Sequence, residues 1–382
     1  MLGQLPLRCY TDADVFAIER ERLFGRLWIF AGLVHSVAAP DNFFTREIAG
    51  RQVVVQNIDG ELKAFENVCL HRGKLIQVEE CGRRPLVCGY HGWRYGADGT
   101  AIAIPFESEC YRFHGQERAS LRLREFAVRV VGTLVFVNLA DGPMPLEQQF
   151  SRSFLDGIAS VSDAFDDEFL VARWRKDFNW KLAYENLRDG VHPRFVHTKS
   201  LNLYASFPMP VVSEATPDPA TASIPSPDLH VLSFGGAEGE IRRTRPPAFA
   251  EWVMRWGATD AYFNWLPFPN THILTSDGGY SFSIEHHHPI SPTTTEITAY
   301  FMTARKRRPV AWLAPTLWEM AKGAKRILDE DTDVMEEVQR AIGSHSPAVV
   351  QGGYELQNRR TDRWYIDNVL GGAHPAQDGG RP

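Results

Sequence analysis

Two short phrases, Cys69-Leu70-His71 and Cys88-Gly89-Tyr90-His91, constrain this chain more than any other feature. Each puts one soft thiolate and one imidazole on a single stretch, with sixteen residues between the two phrases. Such a chain must bring two loops to one point, which suits a small antiparallel domain whose loop tips clamp a metal group. Two thiolates and two imidazoles match a [2Fe–2S] cluster with the thiolates on one iron and the imidazoles on the other.

A structural zinc site also accepts two Cys and two His. It usually groups like ligands, Cys with Cys and His with His, whereas each phrase here supplies one of each. A glycine follows each histidine within two residues, in His71-Arg72-Gly73 and His91-Gly92-Trp93, and lets backbone amides approach bridging sulfides. The cluster reading is therefore preferred.

Asn67-Val-Cys-Leu-His-Arg-Gly73 followed by Cys88-Gly-Tyr-His-Gly-Trp-Arg-Tyr95 strongly resembles the large (alpha) subunit of Rieske non-heme iron oxygenases. The resemblance covers most of the chain, because a second motif and a C-terminal acid also fit. It implies that Cys69 and Cys88 hold the inner iron, and His71 and His91 the outer one. High-potential respiratory Rieske proteins carry an extra, disulfide-forming cysteine in each loop. Neither loop here has one, so the resemblance implies a low-potential, oxygenase-type cluster. Lys74 departs from the small or apolar residue more usual after His-Arg-Gly.

The second motif runs Phe178-Asn-Trp-Lys-Leu-Ala-Tyr-Glu185-Asn186-Leu-Arg-Asp189-Gly-Val-His192-Pro193-Arg-Phe-Val-His197. On one helix, Glu185, Asp189 and His192 would share a face. His197, five residues past His192, would point about 140° away. Pro193 lacks the amide that would bond the Asp189 carbonyl, so the helix is expected to break there and let His197 swing back. Two imidazoles are part of a mononuclear iron site that still needs a carboxylate. In the run Asp329-Glu-Asp-Thr-Asp333, only Asp331 falls on the apolar stripe of Ala324, Ile327, Leu328, Val334, Met335, Val338 and Ile342. A carboxylate on a buried stripe needs a cation, so Asp331 is the expected third ligand. The family's Glu-Asp pair before a Gln (here Glu330-Asp331 and Gln339) points to the same residue. By resemblance, Asp189 is not a ligand but the catalytic bridge linking His192 to a cluster histidine, His91, of a neighbouring subunit, which implies a homotrimer or a multiple of it. Asn186 is a weaker candidate for supporting the site.

Apolar content of 44%, charged content of 23% and a net charge of −6 describe a globular chain of two or three domains, with no nucleic-acid partner. No apolar run is long enough to span a membrane, and the start lacks a signal-peptide pattern. Cysteines 9, 69, 81, 88 and 110 are too sparse for a disulfide scaffold. A cytoplasmic location follows as the expectation.

Thr11 and Asp12 can cap a first helix with Val15, Phe16, Ile18, Leu23, Phe24 and Trp28 on its apolar side. From residue 43 short β-rich runs take over: Arg51-Val-rich to Asn57, Lys63-Ala-Phe, Leu86-Val-Cys, and Val130 through Asn138. The turn-forming Ala140-Asp-Gly-Pro-Met-Pro marks a boundary. A strand near 168–177, a helix from about 180, extended runs through 261–303 and a final helix near 309–343 follow. Residues 371–382 read as a disordered tail. The expected fold is α+β, with an antiparallel-β Rieske [2Fe–2S] domain, 43–142, inserted in a helix-grip (START-like) catalytic domain, 1–42 and 143–370.

In His286-His287-His288, only His286 and His288 can share a strand face, and a structural or pocket-lining role outweighs a metal site. Tyr262, Phe263, Trp265, Phe268, Tyr280 and Phe282 serve as cavity wall or core alike. Cys9, Cys81 and Cys110 read as incidental thiols.

The resemblance implies a terminal oxygenase with a [2Fe–2S] cluster and Fe(II), fed by a separate NAD(P)H reductase, with or without a ferredoxin. It would use O2 to hydroxylate a small organic, aromatic substrate, with or without a β subunit. Heteroatom demethylation or attack on a quaternary amine is the alternative, since the pocket decides. An electron-transfer protein would need only the first 142 residues, and a zinc-stabilised binding protein is the remaining rival.

Overall fold

The computed structural model describes residues 5–188, 191–200, 231–233, 247–257, 263–275, 277–307, 309–344, 350–352 and 355–371. The chain forms two compact units, Arg20–Gln149 and Met1–Glu19 with Phe150–Pro382. It enters through helix α1 (Ala13–Glu19) of the larger unit. The Asp12 carboxylate caps this helix by accepting the amides of Asp14 at 2.7 Å and Val15 at 3.4 Å.

The smaller unit contains β1 (Ile29–Leu33), β2 (Asn42–Ile48), β3 (Arg51–Ile58), β4 (Glu61–Glu66), β5 (Cys81–Arg83), β6 (Arg94–Tyr95) and β7 (Ala101–Ala103). The short helices α2 (Glu107–Cys110) and α3 (Gly115–Ser120), then β8 (Glu125–Val131), β9 (Leu134–Asn138) and α4 (Leu146–Gln149), complete it. A seven-stranded antiparallel sheet runs β1-β9-β8-β4-β3-β2-β5, and β6 pairs with β7. Val53, Val54 and Val55 of β3 are wholly buried, as β-branched residues of a central strand should be.

Three local expectations need correction here. Val130 to Asn138 is two strands, because Gly132 takes a φ of +55° and turns the chain between β8 and β9. Leu86-Val-Cys88 is not a strand; Val87 makes only an isolated bridge to Arg94. β1 precedes the change of texture at residue 43, and its uniformly apolar Ile-Phe-Ala-Gly-Leu carries no alternation to announce it.

The larger unit continues with α5 (Arg152–Ser162), β10 (Phe165–Lys176), α6 (Trp180–Asn186), α7 (Pro193–Val196), β11 (Val231–Ser233), β12 (Phe263–Trp265), β13 (Thr271–Thr275), β14 (Ser281–Ser291), β15 (Thr294–Ala304), α8 (Leu313–Ile342) and α9 (Leu356–Asn368). Its antiparallel sheet has the order β10-β15-β14-β13-β12-β11. The long α8 lies on one face of this sheet, where Ala321 joins Ala299 and Phe301, with Leu170, Ala172, Trp174, Met320 and Ala324 packed around them. Small residues on both surfaces let helix and sheet approach closely. The fold is α+β. The helix expected near 309–343 is α8, but it is not the last, since α9 follows. The tail expected at 371–382 lies, beyond Gly371, outside the described residues.

Two polar contacts set the position of α6. Asn179 caps it, accepting the Lys181 amide at 3.0 Å, while its own amide donates to Gln339 of α8 at 2.8 Å. Lys181 and Glu19 form a buried ion pair at 2.5 Å, with Trp180 and Tyr365 also donating to Glu19. The Lys181 ammonium sits 5.2–5.5 Å from the rings of Trp180, Tyr10 and Tyr365. No described helix is long and apolar enough to cross a membrane.

Candidate functional site

Cys69 and Cys88 sit in the hydrophobic core of the smaller unit, among Phe65, Ile76, Leu86, Trp93 and Tyr95. Their loops share one hydrogen-bond pattern. The Cys69 amide donates to Lys74 O at 2.8 Å and the Cys88 amide to Trp93 O at 2.9 Å. The Gly73 amide returns to Cys69 O at 2.9 Å, and that of Gly92 to Cys88 O at 3.0 Å. Each closure needs a left-handed residue, and Gly73 and Gly92 have φ of +71° and +72°. The glycines singled out for amide approach are thus first required by the backbone.

These loops bring His71 and His91 together, with ring centroids 4.4 Å apart. Burial raises the Cys69 thiol above its usual pKa, partly offset by a hydrogen bond with Tyr95. The Tyr95 hydroxyl lies 3.2 Å from Cys69 Sγ and accepts the Leu70 amide at 3.0 Å. Burial and the neighbouring His91 and Arg72 lower His71, keeping its imidazole neutral. Two free buried thiols, two adjacent imidazoles and a buried His71 Nδ1 with no partner among the described residues fit a Rieske [2Fe–2S] cluster.

In the larger unit, His192, His197 and Asp331 each offer one ligand atom, all within 4.8 Å of one another. The Nε2 atoms of His192 and His197 converge on Asp331 Oδ1 at 3.4 and 3.3 Å. Lone pairs facing each other this way call for a cation or protons between them, so the donor set fits mononuclear iron. Asp331 is buried, and burial raises its carboxyl despite the opposing charges of His197 and His192 and a hydrogen bond from Asn186. The buried face of α8 runs through Leu317, Ala321, Asp331, Thr332, Met335 and Gln339. Val334 and Val338 of the expected stripe instead stand 37% and 41% exposed.

The motif's local structure differs from the expected helix that runs through His192 and breaks at Pro193. α6 stops at Asn186, well before Pro193, and Pro193 opens α7 at its first position, where a missing amide costs nothing. His192 and His197 flank this short helix, and their rings meet at 5.4 Å and 75°. Asp189 lies outside the described residues. Asn186 donates to Asp331 Oδ1 at 3.1 Å. Glu330 was singled out only as part of a sequence pair; its Oε2 lies 3.0 Å from His197 Nδ1 and accepts Ser200 Oγ at 2.6 Å. Burial works against its ionised form, but the Ser200 and His197 hydrogen bonds outweigh that and hold Glu330 below its usual pKa.

A further buried pair was missed. His272 Nδ1 lies 3.0 Å from Glu285 Oε2, across β13 and β14. Glu285 is level with Ala299, on the sheet face that α8 covers, and its charge raises Asp331. Burial lowers the nearby His287 to about 4, so it is neutral. His286 and His288 share a face, with rings 6.4 Å apart. Outside the cluster loops, the His/Cys/Asp/Glu group among the described residues that could hold a metal ion remains His192, His197 and Asp331. Of the aromatics, Phe268 packs on Trp364 and Tyr184, and Phe282 on Phe165, as core; Tyr262 lies outside the described residues.

Residues 27–126 match the Rieske [2Fe-2S] domain and residues 165–371 match the ring hydroxylating alpha subunit (catalytic domain). The glycine betaine monooxygenase oxygenase subunit of Chromohalobacter salexigens is 27% identical over 96% of this chain and 86% of that protein. Its Pseudomonas aeruginosa counterpart is 29% identical over 62% of this chain, a match that spans 56% of that protein's length. The large oxygenase component of a naphthalene 1,2-dioxygenase system from Pseudomonas aeruginosa is 27% identical over 78% of this chain and 70% of its own length. Among solved structures, the quaternary ammonium Rieske monooxygenase CntA superposes with a TM-score of 0.72 at 18% identity, covering 95% of each chain. Naphthalene 1,2-dioxygenase from Rhodococcus sp. gives 0.70 at 19%, covering 97% of this chain and 95% of that one.

A cluster domain joined to a non-heme iron domain defines a Rieske-type oxygenase. Within that class, the chain belongs to the ring-hydroxylating alpha-subunit family, whose domains carry a [2Fe–2S] cluster and non-heme iron.

Proposed function

We propose that this chain is a terminal oxygenase that takes electrons from a separate NAD(P)H reductase, with or without a ferredoxin, and hydroxylates a small aromatic substrate with O2. The convergence of His192, His197 and Asp331 within 4.8 Å carries this reading, because an electron-transfer protein has no use for an open ligand set. When bound, the cluster supplies electrons singly and the iron activates O2 at positions the protein leaves open.

The chain's own residues would do the following. Cys69, Cys88, His71 and His91 would hold the cluster; His192, His197 and Asp331 would hold the iron. Glu330 would accept a hydrogen bond from the Nδ1–H of His197, which fixes the tautomer that keeps its Nε2 lone pair for the metal. Asn186 steadies Asp331 by donating to Oδ1. Asp189, between Asn186 and His192 in the sequence, would link His192 to His91 of a neighbouring copy, which makes a homotrimer or a multiple of it the working assembly, with or without a β subunit. The working location is the cytoplasm.

A second reading, oxidation of a quaternary amine or a related demethylation, is favoured by the likeness to glycine betaine monooxygenase over 96% of the chain. Both readings are tested on one preparation. Anaerobically purified protein is counted for iron and sulfide, its EPR taken before and after dithionite, and turnover measured with a reductase, O2 and naphthalene, benzoate or glycine betaine. A Rieske signal, iron beyond that of the cluster and product from an aromatic support the first reading. Product from glycine betaine alone selects the second, and a colourless zinc protein overturns both.

A further inference from the structure

The two imidazoles at the cluster are not equivalent. His71 stacks flat on Trp93, with centroids 5.3 Å and planes 3° apart, and Tyr111 meets it edge-on. The Tyr111 hydroxyl lies 3.2 Å from His71 Nε2, while the buried Nδ1 has no partner among the described residues. His91 is exposed and lies against Tyr90, and no described residue hydrogen-bonds its ring. A ring nitrogen that binds iron cannot also carry a proton. Were Nδ1 to bind iron, Nε2 would bear the proton and donate a hydrogen bond to the Tyr111 oxygen.

We infer that Tyr111 is a positioning residue for the cluster: it accepts the Nε2–H of His71, fixes the tautomer that leaves Nδ1 for iron, and lowers the cluster's reduction potential. The inference rests on the reading of His71 as an iron ligand. Accepting that hydrogen bond makes the imidazole a stronger donor, which favours the oxidised cluster. The phenol is held for this task, stacked on Phe113 at 5.4 Å and 9° and set edge-on to Trp93 at 5.7 Å. Tyr111 directly follows α2, outside both metal-binding phrases, so the motifs alone do not point to it. With His71 held inside its own domain, His91 is the imidazole that remains open to a partner.

The test is an EPR-monitored redox titration of the full-length protein with its cluster, comparing wild type, Y111F and Y90F. Y111F should show a more positive potential, and Y90F, which alters the ring lying against the other imidazole, should show none of that shift. An unchanged potential in Y111F, or an equal shift in Y90F, overturns the role. If Y111F loses its cluster, Y111Q decides: retention restores the case for an acceptor at this position, and loss overturns it. Turnover is measured separately. An unshifted Y111F that still forms product refutes Tyr111 and leaves the oxygenase reading standing, whereas a wild type with no Rieske signal refutes both.

Discussion

The Glu330 carboxylate lies 3.0 Å from Nδ1 of His197, and the next residue of α8, Asp331, reaches Nε2 of the same ring at 3.3 Å. One helix thus flanks both nitrogens of one imidazole: Glu330 accepts from Nδ1–H and so selects the tautomer, which leaves the Nε2 lone pair to share a cation with Asp331. Glu330→Gln keeps the shape but removes the charge. Partners of this kind are worth about 10–100-fold in metal affinity or activity, so iron titration of the variant should show a loss of that order with the cluster spectrum unchanged. Wild-type iron affinity would remove Glu330 from this role.

Asp331→Ala removes the oxygen on which both imidazoles converge. Product formation and mononuclear iron should be lost while the Rieske EPR signal persists, because the cysteine loops belong to the other unit. Disappearance of the cluster signal instead would contradict the assignment of Asp331.

The two loop glycines allow a paired comparison. Both have left-handed φ, so alanine at either costs roughly 1 kcal/mol. A Cβ at Gly73 meets open space, whereas one at Gly92 comes 3.1 Å from Pro105 Cγ. Gly92→Ala should therefore lower thermal stability and cluster content more than Gly73→Ala. Equal effects would mean that Pro105 yields freely.

Stability should fall with rising pH. Burial, reinforced by the charge of Glu185, pushes Asp362 up to about 8; burial, opposed by a Tyr10 hydrogen bond, pushes Glu185 to about 7. Their folded values exceed the unfolded ones, so the native state holds more protons between the two. The contribution is complete below the ordinary carboxylate range and is lost as pH rises through about 7 to about 8. Melting temperature against pH should decline over this window, and Asp362→Asn should flatten the decline. A variant curve parallel to wild type would discount the pair.

Glu19→Gln tests the buried pair with Lys181. Removing one partner of a buried ion pair costs about 3–5 kcal/mol because the other charge is stranded. Urea denaturation should report a loss of that size, and a loss near zero would show that Lys181 sheds its proton instead.

Much of the site was legible because its chemistry is local. The Cys69/His71 and Cys88/His91 spacing needs no tertiary information, and Asp331 stood out as a carboxylate at apolar helical spacing. Asn186 was legible from its place just before the turn. Pro193 was misread because proline both ends helices and starts them, and only the early stop of α6 decides which. Val334 and Val338 look as apolar as Met335, yet only Met335 points into the buried face of α8.

Residues brought in by tertiary contacts left no such signal. Tyr111 reaches His71 from beyond the second phrase, and the His272–Glu285 pair forms only through the β13–β14 register. β1 has the composition of any buried segment, and α9, polar or charged through most of Leu356–Asn368, has little apolar periodicity to announce it.

The matched loops around Cys69 and Cys88 bear on how the clamp is built. Each loop closes on its own backbone, through its cysteine amide and its left-handed glycine. Much of the shape of the clamp is therefore written in the polypeptide, one loop at a time. Each half of the clamp thus carries its own closure, and the two meet only through the side chains they present.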